Sequence, residues 1–190
     1  WLKMPNKFGK MKGLTREHGE VKIISMFLSN PLIFRTTSVL IKIDCRSRTA
    51  VFNSLKKMLE VGLLVAKRPI YMLNGLIIDS RKVNYKEIIG RESKPQYNLL
   101  WVVRFLIENM ESEWSAIEIA TVFNKPYITI NRILELLANS GIAYVNKTGR
   151  MVNKNLPAKY KLSPNLAVIL SQSKTKLIKE YANAENDTGS

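Results

Sequence analysis

Ser47-Arg48-Thr49-Ala50-Val51-Phe52-Asn53-Ser54-Leu55-Lys56-Lys57-Met58-Leu59-Glu60-Val61-Gly62-Leu63-Leu64 decides the fold, because the pattern of this stretch returns 79 positions later. Val51, Leu55, Met58, Gly62 and Leu63 fall on Ile130, Leu134, Leu137, Gly141 and Ile142. Apolar residues three and four apart mark one face of a helix; a serine caps its start and a glycine ends it. The match extends outward. Thr36, Leu40 and Ile43 fall on Ser115, Ile119 and Val122, and Ile24, Phe27 and Leu28 fall on Val103, Leu106 and Ile107. Identity is low, so what repeats is a pattern: helix, short helix, longer helix, glycine, strand.

The first copy occupies residues 20–78. Val21, Ile24, Phe27 and Leu28 define its first helix, stopped by Asn30-Pro31. Thr36 or Thr37 caps a second helix through Ile43, and Asp44-Cys45-Arg46 is a turn. Ser47 caps a third helix reaching Val61. Leu63 to Ala66 is a strand, Lys67-Arg68-Pro69 a basic turn, and Ile70 to Leu73 the return strand. Asn74-Gly75 signals a hairpin and predicts a third strand over Leu76-Ile77-Ile78. Residues 1–19 form a basic, Gly-bearing flexible arm. Residues 79–95 are a polar linker with a short helix around Tyr85–Ile89.

The second copy spans 96–164. Leu99, Val102, Val103, Leu106 and Ile107 make its first helix. Ser115-Ala116-Ile117-Glu118 is a capping box, in which each side chain satisfies the other residue's backbone donor. Asn124-Lys125-Pro126 is the turn, Ile128 to Asn139 the third helix, and Ile142 to Val145 a strand. Asn146-Lys147-Thr148-Gly149-Arg150 is a basic turn, and Lys159-Tyr160-Lys161-Leu162 the return strand. Ser163-Pro164 opens a tail helix running to Ala182 within a C-terminal region, 165–190, whose end is disordered. The tail helix either covers the second module or forms the seam of a homodimer. The fold class is therefore mainly α with small β-hairpins, an α+β chain of two tandem modules.

Charge narrows the function. The net charge is +15, and residues 1–95 hold 19 Lys and Arg against 7 Asp and Glu. Residues 96–190 hold 11 against 8, so +12 lies in the first half and +3 in the second. Such an excess attracts polyanions. The 46% apolar content excludes wholesale disorder, and no apolar run nears the ~18 residues of a membrane span. The chain opens on Trp1-Leu2-Lys3, without Met or the apolar core of a secretory signal, as a processed or trimmed form would. One cysteine (Cys45) and one histidine (His18) offer neither a disulfide nor a metal cluster. No phosphate loop or dinucleotide fingerprint is present. The expectation is a protein that is not an enzyme, with no metal, no cofactor and no evident small-molecule ligand.

Helix, helix, turn, helix and a basic-tipped hairpin resembles the winged helix, a variant of the helix-turn-helix, over about 20–78 and 96–162. Leu55-Lys56-Lys57-Met58-Leu59-Glu60-Val61-Gly62-Leu63-Leu64 is similar to the recognition-helix end and first wing strand of many winged-helix regulators. Two such modules are also similar to plasmid replication initiators. The first wing departs from the pattern: it is very short and has a proline at its tip. The resemblance implies a third helix lying in the major groove, with base contacts from its N-terminal half. On 100° per residue, Val51, Leu55, Met58 and Leu59 then face the core and Arg46, Thr49, Asn53, Lys56 and Lys57 face DNA, with Arg48 at the margin. In the second module Ile130, Ile133, Leu134 and Leu137 are core. Lys125, Ile128, Thr129, Arg132, Glu135 and Asn139 face out, and Tyr127 and Asn131 lie at the margins. Lys67, Arg68, Lys147 and Arg150 are the wing cations. Trp101 and Trp114 are core.

The function implied is a sequence-specific double-stranded DNA-binding protein, a transcription regulator of the cytoplasm and nucleoid, or of the nucleus in a eukaryote. The alternatives are a plasmid or phage replication initiator on origin repeats, and a winged-helix scaffold binding protein partners.

Overall fold

A computed structural model of the chain describes residues 16–33, 35–44, 47–67, 70–78, 85, 97–148 and 156–186. The first half runs α1 (Arg16–Ser29), β1 (Arg35–Thr36), α2 (Thr37–Asp44), α3 (Arg48–Glu60), β2 (Leu64–Lys67), β3 (Ile70–Leu73) and a 3-10 turn (Gly75–Ile78). The second runs α4 (Asn98–Glu108), β4 (Trp114–Ser115), α5 (Ala116–Phe123), α6 (Tyr127–Asn139), β5 (Ala143–Asn146) and β6 (Lys159–Leu162), closed by α7 (Pro164–Asn186). The molecule is mostly helical, with two three-stranded antiparallel sheets of order β1-β3-β2 and β4-β6-β5.

The 79-residue repeat is an identity of architecture. The bounds of β1, α2, α3 and β2 map without a residue of error onto β4, α5, α6 and β5. Ile24, Phe27, Leu28, Leu40, Val51, Leu55, Met58 and Leu63 are buried, and so are their counterparts Val103, Leu106, Ile107, Ile119, Ile130, Leu134, Leu137 and Ile142. Gly62 and Gly141 both take a positive φ, at 73° and 78°, which ends α3 and α6 as a side chain could not do without strain. Ser47 and Ser115 cap α3 and α5 as expected, and the Ser115–Glu118 capping box forms in full. The register breaks at one place. Arg35 pairs with Tyr71 in β3 but Trp114 pairs with Tyr160 in β6, so the second hairpin loop is ten residues longer.

Four expectations change. Of the expected 1–19 arm, residues 1–15 lie outside the described residues, and residues 16–19 belong to α1, which begins at Arg16. Trp114 starts a strand and is half-buried, while Trp101 is the buried one. The third strand of the first sheet is β1, not Leu76-Ile77-Ile78. Both edges of β3 are already taken, by β1 and β2, so a hairpin after Leu73 has no strand to join. Instead Asn74 turns the chain out of the sheet. Its amide donates to the Gly62 carbonyl at 2.9 Å, and its Oδ1 accepts from the Leu76 amide at 3.1 Å, an Asx turn that starts the 3-10 segment. The tail helix begins at Pro164 and runs past Ala182 to Asn186. It lies against the 3-10 turn, α1 and β2 of the first half.

The two halves share one buried apolar cluster. Within the 79–95 segment, Tyr85 is buried: it stacks on Phe123 at 5.2 Å and meets Phe105 and Trp101 edge-on. Its hydroxyl donates to Glu108, and burial, reinforced by that carboxylate, pushes the phenol pKa far up. Where α7 crosses the 3-10 turn the backbones touch. A Cβ on Gly75 would lie 2.6 Å from the Leu177 carbonyl carbon and 2.8 Å from the Ile178 nitrogen. Gly75→Ala is therefore expected to destabilise the chain by about 1–3 kcal/mol, because backbone cannot move aside as a side chain can. Gly141→Ala has open space, and strain from its left-handed backbone is expected to cost about 1 kcal/mol. Urea midpoints of the two variants check this, and a costlier Gly141→Ala would refute the crossing.

Candidate nucleic-acid interface

α3 presents an exposed face of Arg48, Thr49, Phe52, Asn53, Lys56 and Glu60. Ser47 sets the start of the helix by accepting from the Ala50 amide at 3.2 Å. The Arg48 guanidinium sits 5.5 Å above the Phe52 ring, a cation–π pair one turn apart that holds both side chains along the surface. Phe52 was not among the expected site residues; an Arg and a Phe four apart on a helix is the signal that finds it. Lys56 is 3.9 Å from Glu60 with both side chains solvated, a pairing too weak to occupy the lysine. Among the described residues Arg48 has no carboxylate partner.

Lys57 is not on this face. Its side chain is 5% exposed and its Nζ lies 2.5 Å from the carboxylate of Glu20 on α1, itself 2% exposed. The same ammonium is 5.8 Å from the Tyr97 ring centre. Helical angle places Lys57 between Lys56 and Met58; what decides its fate is the width of the buried stripe. On α3 that stripe is broad, covering Val51, Ser54, Leu55, Lys57 and Met58, because α1 packs on one flank and residues ahead of α4 on the other. A lysine there needs an anion, and Glu20 is it.

The C-terminal end of α3 is tied to the second half. Tyr97 donates its hydroxyl to Glu60, and Arg104 of α4 donates from Nη1 to the Val61 carbonyl at 2.6 Å. That bond satisfies an orphan helix-end carbonyl and sets a positive charge at the negative end of the helix dipole. Arg104 is itself fixed by Glu108 at 2.7 Å. A side chain at Gly62 would meet Arg104 at 2.8 Å, a second reason for glycine there.

α6 presents Tyr127, Ile128, Arg132, Glu135 and Asn139 as exposed, with Lys125, Thr129 and Asn131 half-buried. Ile130, Ile133, Leu134 and Leu137 are buried, as the periodicity required. Asn131 donates to Glu135 at 2.9 Å, so the one carboxylate on this face is engaged by a neighbour. Among the described residues Lys125 and Arg132 have none.

At the second hairpin Lys147 is exposed at the end of β5. The lysines of β6 are neutralised: Lys159 donates to Glu118 at 2.8 Å and Lys161 to Glu113 at 3.0 Å. Those bonds, with Asn146 on Glu113 and the Ser115 cap on Glu118, hold the Glu113 carboxyl below its usual range and the Glu118 carboxyl down at about 2. Arg46, Arg68 and Arg150 lie outside the described residues, as does the side chain of Lys67. Among the described residues no group of three His, Cys, Asp or Glu could hold a metal ion, and no helix is long and apolar enough to cross a membrane. No protein family, curated protein or solved structure matches the chain.

Lys57→Ala leaves Glu20 buried and unpaired, and is expected to destabilise the fold by about 3–5 kcal/mol, whereas Lys56→Ala stays within about 0.5 kcal/mol of the parent. Chemical denaturation of both decides it.

A carboxyl whose folded pKa is depressed stabilises above its unfolded value and stops doing so as pH falls through the folded one. The α5 cap should therefore loosen between pH about 4.5 and about 2. Protection of the amides at the start of α5, measured relative to their intrinsic exchange rates at each pH, should fall across that window and lose the dependence in Glu118→Gln.

Proposed function

We propose that the chain is a sequence-specific double-stranded DNA-binding protein made of two winged-helix modules, with α3 and α6 as recognition helices and the β2–β3 and β5–β6 hairpins as wings. The observation that carries the reading is the exposed face of α3. Arg48, Thr49, Asn53 and Lys56 offer base-edge and phosphate donors, and the only carboxylate, Glu60, is at the far end, in a chain of net charge +15. Arginine suits guanine, asparagine suits adenine, and lysine suits phosphate or guanine. The buried pair Lys57–Glu20 and the bonds to Tyr97 and Arg104 fix this helix from behind, as precise base contact requires.

A transcription regulator occupying an operator is the first form of this reading. A replication initiator on iterated origin sites uses the same surface, and footprinting on the protein's own promoter against an iterated origin separates the two. A scaffold binding protein partners is favoured by one observation, the exposed Ile117 and Ile128 of the second half.

Duplex binding should fall steeply with salt, log K against log salt having a slope of about −0.9 per phosphate neutralised. Asn53→Ala and Arg46→Ala should lower the ratio of specific to nonspecific affinity, each by about 1–3 kcal/mol. Lys147→Ala should weaken all duplexes alike and reduce the salt slope by about 1. An unchanged ratio for Asn53→Ala would remove α3 from the major groove, and salt-indifferent binding would remove the electrostatic basis altogether.

A further inference from the structure

Ile128 is the most exposed large apolar side chain among the described residues, 78% open to solvent. It is the second residue of α6, in the part of a recognition helix that meets base edges. Single exposed apolar residues are ordinary on a protein surface, but this one is set among cations. Arg132 follows one turn later on the same face, and Lys125 precedes it across Pro126. At the same place in the first half stands Thr49, also exposed. The two helices have equivalent bounds and bury the same four positions, 51, 54, 55 and 58 against 130, 133, 134 and 137, yet one offers a hydroxyl where the other offers only methyl and methylene groups.

In the major groove one base-edge group is complementary to such a surface, the C5-methyl of thymine. Resting on the DNA-binding reading above, we infer that Ile128 is a specificity-determining residue that packs on a thymine methyl in the part of the site under α6. Arg132 lies about 6 Å further along the helix, about two base-pair steps, where it contacts guanine or a phosphate. α3 reads by hydrogen bonds through Arg48, Thr49 and Asn53; α6 reads a methyl. The site is then two unlike halves, not a repeat of one.

Deoxyuridine differs from thymidine only in lacking the C5-methyl, which makes the test direct. The intact chain is used to select its best duplex from a random pool, and each thymine of that duplex is replaced singly by deoxyuridine. At one or two thymines in the half-site protected by α6, the parent protein should lose about threefold to tenfold in affinity. Ile128→Ala should lose a similar factor on the unsubstituted duplex and be indifferent to deoxyuridine at those positions. Its responses elsewhere should match the parent's, and Ile128→Val should fall between. Equal losses for parent and Ile128→Ala at every thymine would overturn the assignment. So would parental DNA affinity in Ile128→Ala, including the case where that variant instead loses a protein partner. Selection of no duplex at all would overturn the DNA-binding reading itself, an outcome distinct from binding that ignores the methyl. Ile128 is largely exposed to solvent, so an intact fold, checked by circular dichroism, is expected for both variants.

Discussion

Lys57 cannot leave α3, and Glu20 cannot leave Lys57. An ammonium and a carboxylate each almost wholly buried tolerate no separation, because in a low-dielectric interior either one alone would be left charged and unsolvated. The pair ties α1 to the inner flank of α3, and with that angle set, the outer flank of α3 is whatever remains. Arg48, Thr49, Phe52, Asn53 and Lys56 are presented together because the opposite side of the helix is locked. The makeup of this exposed face is thus a consequence of a core interaction.

The same helix also carries the junction between the two halves. Arg104 caps it at Val61, Tyr97 reaches Glu60, and Glu108 holds Arg104 while accepting from Tyr85. This network is polar and directional, so it fixes orientation more than it adds affinity. α7 adds the apolar part. It follows β6 in the chain, meets Met110 after α4 through Ser171, and crosses the 3-10 turn at Gly75 with Leu177 and Ile178, so this helix covers the first half. Two structurally equivalent units are held in one arrangement by contacts that have no counterpart within either unit.

Equivalence of backbone has not kept equivalence of surface. At matching places Asn53 corresponds to Arg132, Lys56 to Glu135 and Thr49 to Ile128. Most core positions vary within a narrow apolar set, because packing density penalises other choices, with Ser54 and Lys57 the exceptions on α3, while the exposed positions are free to diverge. That divergence is where any difference in what the halves recognise resides.

The sequence by itself determined the repeat, the bounds of the second and third helices in each copy to within about a residue, the caps at Ser47 and Ser115, the glycine stops and the core faces of α3 and α6. These are legible because they depend on neighbours one to four residues away: a hydroxyl over a helix start, a positive φ, an apolar period of 3.6. Most of the exposed candidates, Arg48, Thr49, Asn53, Lys56, Tyr127, Arg132 and Lys147, were legible for the same reason. Tertiary structure decided the rest. Lys57 went inward because α1 brings Glu20 from 37 positions away. Leu76-Ile77-Ile78 left the sheet because β1 had already taken the edge of β3. Tyr85, in a segment that reads as a polar linker, went into the core because Phe105 and Phe123 form a site for its ring. α7 lay on the first half because Gly75 admits its backbone. Each is a contact between residues far apart in the chain, and periodicity carries no information about what arrives from a distance.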